Sequence, residues 1–317
     1  MVKLHRYLHR LQLIVGVGIA ALPASAAAVE ARVEWVTPAV TAPRVTQETF
    51  RSAAAGGPVS YHLYLPAAYG DDTTRRFPVV YWLHGSGGGL PGIEPLARQI
   101  DAAIASGRLP PCLVVFVNGL KFGMYVNWKD GTVPLETVIV KELIPHVDAT
   151  YRTIATREGR VLDGFSMGGY GAARLGFKFP ELFGAVSVMG AGPLQPDLRA
   201  DAPRAGRARV DELMERVYGG DPDYFRRVSP RALAELNAAR LAEGSRVRLV
   251  VGTSDETYAN NAAFHAHLQS LGIPHEWIVL EGVEHNPMRA LQALGDRHWE
   301  FYRAAWRGLA APGNATR

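Results

Sequence analysis

The run Val161-Leu162-Asp163-Gly164-Phe165-Ser166-Met167-Gly168-Gly169-Tyr170 constrains this chain more than any other stretch. It holds Gly164-x-Ser166-x-Gly168, the pattern of a sharp turn that carries a serine from a strand into a helix. In such a turn the serine takes a strained backbone conformation costing roughly 1–3 kcal/mol. Glycines two positions to either side remove the Cβ atoms that would collide there. Glycine and serine are common, so the flanks decide. Val161 and Leu162 lead in as a buried strand would, and Tyr170-Gly171-Ala172-Ala173-Arg174-Leu175 follows with small residues on a helix face. A strand–turn–helix unit is therefore predicted, with Ser166 at its apex.

The surrounding pattern supplies a sheet for that unit. From residue 79 onward, short apolar runs alternate with helical stretches, the signature of a parallel α/β sheet. Strands are predicted at 79–83, 113–117, 161–162, 184–189, 247–251 and 277–280. Helices are predicted over 93–106, over 137–151 with a break near Pro145, over 260–271 and over 291–308. Upstream, residues 45–50 and 59–65 alternate around Gly56-Gly57-Pro58 and read as an antiparallel hairpin at a sheet edge. Residues 191–244 carry Pro, Arg, Ala and Asp without a strand signal and read as an inserted helical cap. At 317 residues and 48% hydrophobic, the chain suffices for one large domain over residues 45–317, preceded by an arm at 27–44.

The formal net charge of +4 invites a nucleic-acid reading, but the N-terminus accounts for most of it. Lys3, Arg6 and Arg10 precede an apolar stretch over residues 11–22, then Pro23 and Ala24-Ser25-Ala26. Basic, apolar and small-residue segments in that order form a secretory signal peptide, here residues 1–26. Its removal takes three of the four excess positive charges with it. The apolar core is short of the roughly 20 residues that span a bilayer, so no membrane insertion is expected after cleavage. The expected location is secreted or periplasmic. Cys112 is the one cysteine, which excludes an intrachain disulfide, and its apolar neighbours read as a buried strand.

A serine hydroxyl needs a base, usually histidine, oriented by a carboxylate. In elbow-type hydrolases the order is Ser, acid, His, with each residue on a loop after a strand. Of ten histidines, His285 is the one in a loop after the last predicted strand. Asp255 follows the strand at 247–251 and is the expected acid, with Glu256 as its neighbouring alternative. Asp163 is expected to brace the turn. The developing oxyanion needs two donors: the N–H of Met167, next to the nucleophile, and one from the loop after the first parallel strand. That loop is His84-Gly85-Ser86-Gly87-Gly88-Gly89, where the N–H of Ser86 is expected to serve, with Gly87 next. No Gly-Lys-Ser/Thr ends the glycine run, so a phosphate loop is not indicated. His265 and His267 lie two apart, off a common helix face, and no metal or other cofactor is expected.

These residues carry a resemblance. Residues 136–185 hold Lys141-Glu142-Leu143-Ile144-Pro145, Asp148, Tyr151-Arg152 and the elbow, while Leu83-His84-Gly85-Ser86-Gly87-Gly88, Tyr218-Gly219-Gly220-Asp221-Pro222 and Leu271-Gly272-Ile273-Pro274-His275 extend the match. Over residues 45–306 the chain resembles the esterase D / feruloyl esterase family, which includes carbohydrate esterases, S-formylglutathione hydrolases and the antigen 85 mycolyltransferases. The resemblance implies an α/β-hydrolase fold and a triad of Ser166, Asp255 and His285. After the histidine many members carry an aromatic residue, where this chain has Asn286-Pro287-Met288. The expected reaction is hydrolysis of a small-molecule or carbohydrate ester of feruloyl or acetyl type. Phe122, Tyr125 and Trp128, in the loop after the strand at 113–117, are expected to stack on the substrate. Acyl transfer to a sugar or lipid alcohol is the alternative within catalysis. A non-catalytic binding protein would show the loss of a triad residue, and none is lost.

Overall fold

The computed structural model describes residues 33–201 and 206–309, so the signal-peptide expectation lies outside the described residues. Among these, eight strands form one sheet: β1 (Val45–Ser52), β2 (Gly57–Tyr64), β3 (Val79–Leu83), β4 (Leu113–Val117), β5 (Arg160–Phe165), β6 (Ala185–Met189), β7 (Arg246–Gly252) and β8 (Glu276–Leu280). Their order is β1-β2-β4-β3-β5-β6-β7-β8. β1 and β2 form the hairpin, β2 runs antiparallel to β4, and every other neighbouring pair is parallel. This is an α/β-hydrolase fold.

Alternation along the strands sends side chains to two separate cores. Val79, Tyr81 and Leu83 of β3 join one core with the helices Met167–Lys178 and Tyr258–Ser270. Val80 and Trp82 join the other, beneath the helix Leu90–Ala105 and the C-terminal helices. β3, β4, β5 and β6 are buried along their whole length, as strands covered by helices on both faces must be. Cys112 is fully buried and burial pushes its thiol upward, so it behaves as a small apolar residue.

Two expectations change. The predicted break near Pro145 is instead a widened turn. Residues Val138–Leu143 are π-helical and run into the helix Ile144–Thr150, so Pro145, which lacks an N–H, is accommodated without interrupting the rod. The predicted C-terminal helix divides into Pro287–Leu294 and Asp296–Ala305 at Gly295, whose φ of 53° no helix interior accepts.

Residues 206–244 carry the helices Arg207–Tyr218, Pro222–Val228, Pro230–Leu236 and Ala238–Gly244. Val210, Met214, Val217 and Phe225 enter the same core as the elbow helix. The Tyr218 hydroxyl lies 3.3 Å from that of Tyr170, and Tyr224 donates to the Asn127 carbonyl at 2.7 Å. Asp221 caps Pro222–Val228 by accepting from the N–H groups of Asp223 and Tyr224. Residues 33–44 contain neither helix nor strand, and Thr37 and Trp35 hydrogen-bond to Ser60 of β2. No helix of the described residues is long and apolar enough to cross a membrane.

Candidate active site

Parallel strands deliver their C-terminal loops to one edge of the sheet, and the three residues of interest sit on loops after β5, β7 and β8. Ser166 lies between β5 and the helix Met167–Lys178 with φ 60° and ψ −119°, a strained conformation for a residue with a Cβ. The flanking glycines are required by space. A Cβ on Gly168 would lie 1.9 Å from the Leu83 carbonyl oxygen, and one on Gly164 would lie 2.3 Å from that of Gly168. The elbow can therefore close only without those side chains.

Ser166 Oγ is 2.8 Å from His285 Nε2. On the other side of the ring, His285 Nδ1 is 2.8 Å from Asp255 Oδ2 and 2.9 Å from Oδ1. With Nδ1–H donating to the carboxylate, Nε2 is left as an acceptor for the serine proton. Asp255 is only 4% exposed, and Thr257 donates to its Oδ1 from both N–H and Oγ1 at 2.7 Å. Burial alone would raise the Asp255 carboxyl, but the hydrogen bonds from His285 and Thr257 outweigh it and hold it below the ordinary value. An ionised, doubly anchored carboxylate is what orients an imidazole and stabilises its protonated form. Glu256 is exposed and lies along the adjoining cleft.

His285 is fixed from both directions. The Phe165 ring, one residue before Ser166, packs 4.8 Å from the imidazole. The next residue, Asn286, caps Pro287–Leu294 through its side-chain oxygen at 3.0 and 3.1 Å from the Met288 and Arg289 N–H groups. Asn286-Pro287 is thus a helix start with proline in its first turn.

The glycine-rich loop after β3 approaches the serine closely: a Cβ on Gly85 would lie 3.3 Å from Ser166 Cβ. Gly87 donates its N–H to the Lys121 carbonyl at 2.7 Å, which commits that group elsewhere and leaves Ser86 as the loop's candidate donor. Met167 opens the elbow helix, where N–H groups have no partner within the helix. His84 is structural. Its Nδ1 lies 2.7 Å from the Gly85 carbonyl, its Nε2 accepts from the Gly119 N–H at 3.1 Å, and burial lowers its basicity.

The aromatic residues of the 118–128 loop divide. Tyr125 is fully buried and donates its hydroxyl to the His84 carbonyl at 2.9 Å. It supports the glycine loop from below and does not face the cleft. Trp128 is half-buried, and its backbone N–H donates to the Val133 carbonyl at 2.9 Å. Phe122 is 38% exposed and carries the Arg209 guanidinium 4.5 Å above its ring. The cleft, about 560 Å³, is lined by Trp82, Ser86, Phe165, Arg209, Glu256 and Met288 around Ser166 and His285. Arg209 and Met288 carried no motif, since only the folded chain brings them to the serine. Thr257 was within reach, because Asp-x-Thr favours a carboxylate bonding its own backbone two residues on.

Asp163 sits at the start of the turn beside Gly164, and its side chain also reaches across the sheet. It is fully buried, 2.6 Å from the Tyr302 hydroxyl and 3.3 Å from Arg248 Nη2, in a row Asp163–Ser187–Arg248 that the register places side by side across β5, β6 and β7.

Comparison with known proteins then decides the family. The family described as "Putative esterase" matches residues 52–306. The chain belongs to this esterase family. Among its relatives, an endo-1,4-beta-xylanase/feruloyl esterase of Xylanibacter ruminicola is 32% identical over 163 residues, covering 48% of this chain and 22% of that protein. An esterase of Mycobacterium tuberculosis is 28% identical over 257 residues, covering 74% of this chain and 54% of its own length. The chain thus spans about half or less of these curated relatives. A solved ferulic acid esterase superposes with a TM-score of 0.66 at 22% identity, covering 83% of this chain and 97% of its own. That likeness concerns the esterase fold.

Proposed function

We propose that this chain is a serine carboxylesterase. The observation that carries the reading is the unbroken hydrogen-bonded path Asp255–His285–Ser166, ending on a strained elbow at a cleft. As Ser166 Oγ attacks the ester carbonyl carbon, its proton passes to His285 Nε2. The carbonyl oxygen becomes an oxyanion held by the N–H groups of Ser86 and Met167, each worth about 10²–10³ in rate. Collapse breaks the bond to the alcohol oxygen, which takes the proton from Nε2. His285 then deprotonates water, the hydroxide attacks the acyl-serine, and the carboxylic acid departs as Ser166 regains its proton. Asp255 stays ionised throughout and stabilises the imidazolium.

The family and a relative named as a feruloyl esterase support an ester of feruloyl or acetyl type as substrate. The N-terminal order of basic, apolar and small residues supports action outside the cytoplasm. The test is hydrolysis of 4-nitrophenyl acetate by the purified protein and by Ser166→Ala. Turnover abolished in a variant with an unchanged circular-dichroism spectrum is the expected outcome. Wild-type-like turnover in that variant would overturn the mechanism.

A further inference from the structure

The cleft has one wall that the ester chemistry leaves unused. Arg209, on the first turn of Arg207–Tyr218, lines it, and the guanidinium lies over the ring of Phe122 from the loop after β4. Stacking of this kind holds a guanidinium by its face and leaves the N–H fork on its edge free to bond. On the same stretch of chain, Arg199, Arg216, Arg226 and Arg227 each pair with a carboxylate. Among the described residues no carboxylate pairs with Arg209. The cleft's described acidic lining group, Glu256, follows β7. Glu256 lies beside the triad, with ligand atoms of Asp255, Glu256 and His285 all within 4.8 Å of one another, whereas Arg209 comes to the cleft from the helix Arg207–Tyr218.

We propose that Arg209, oriented by Phe122, is a specificity-determining residue that binds an anionic group of the substrate, so that the preferred ester carries a carboxylate or a chemically similar oxyanion. This rests on the esterase reading and names its substrate class. The anion sits on either the acyl or the alcohol part, and two matched pairs separate these. 4-Nitrophenyl hydrogen succinate against its methyl ester tests the acyl side. 4-Acetoxybenzoate against its methyl ester tests the alcohol side.

In wild type, the ratio of kcat/KM for anionic over neutral ester is expected to exceed one in one pair. That ratio is expected to fall about tenfold in Arg209→Ala, the loss of one charged hydrogen bond, and less in Arg209→Lys. High salt is expected to compress it. A variant that slows both members equally and leaves the ratio unchanged would assign Arg209 a structural role and overturn the proposal. If wild type turns over none of the four esters, the esterase reading fails and the clamp is judged by binding. Calorimetric titration of Ser166→Ala with the two benzoates is then expected to favour the anionic one, with about tenfold weaker binding when Arg209→Ala is added. Equal affinity for both would overturn it.

Discussion

At the scale of single residues, the site works through anchoring more than through the identity of three side chains. Asp255 is held ionised by hydrogen bonds from Thr257 as well as from His285, against the cost of its burial. Asp255→Asn removes the acceptor that sets the imidazole tautomer, and kcat is expected to drop by about 10²–10⁴. Thr257→Val removes one of two anchors, and a loss of about tenfold in kcat with KM little changed is expected from steady-state kinetics. Gly168→Ala drives a methyl group into the Leu83 carbonyl. That variant is expected to lose most activity and to melt at lower temperature, as read by esterase assay and thermal unfolding. The elbow and the grouping of Ser166, His285 and Asp255 were legible because chain order and strand ends constrain them strongly. The orientation of the loop aromatics was not. Tyr125 lies in the same loop as Phe122, yet its ring turns inward beneath the glycine loop, a difference no local pattern records.

At the scale of elements, the strands Val79–Leu83 and Leu113–Val117 were legible to the residue, because full burial on both faces produces short, uninterrupted apolar runs, while Arg160–Phe165 extends past the apolar pair 161–162 through Asp163 and Gly164. Helix boundaries were less so. Gly295 divides the C-terminal helix through its backbone angle, and a π-helical turn absorbs Pro145; both are properties of a particular φ or hydrogen-bond spacing. The family-like residues Glu142, Asp148 and Arg152 serve as braces. Ser52 and the Ala54 N–H donate to Glu142, Asp148 pairs with Arg160, and Arg152 bonds the backbone of Tyr69 and Arg75. Asn286 shows how such a brace reaches the chemistry, since its cap fixes the residue next to His285. Asn286→Ala is expected to cost about 1 kcal/mol of stability and to reduce kcat several-fold. The row Asp163–Ser187–Arg248 ties the strand before Ser166 to the strand before Asp255 and to the helix Asp296–Ala305. Arg248→Met, which strands the Asp163 carboxyl in the core, is expected to destabilise by about 3–5 kcal/mol, with partial recovery when Asp163→Asn is added.

For the molecule as a whole, pH dependence of stability follows from the buried His298 and His62 and the partly buried His84. His298 is fully buried against Arg248, and burial together with that positive charge holds it well below the ordinary value. His84 and His62 are lowered chiefly by burial. Each takes up a proton at lower pH in the folded state than in the unfolded chain, which protonates below about pH 6.5. Stability is therefore complete above that value and falls as pH drops through it, by up to about 1.4 kcal/mol per pH unit for each such group. Thermal melts from pH 8 to pH 5 are expected to show this decline, and His298→Asn to show a shallower one. Asp255 acts in the same direction in a lower window: its depressed value means that its contribution is present above the ordinary carboxylate range and is lost as pH falls through and below it.

The central claim, that this fold assembles an activated serine, is tested most directly by reacting the folded protein with a fluorophosphonate and mapping the modified peptide by mass spectrometry. Modification at Ser166, absent in Ser166→Ala and sharply slowed in His285→Ala, is the predicted result. A folded protein that does not react, or that reacts at another residue with the same rate in His285→Ala, would contradict it.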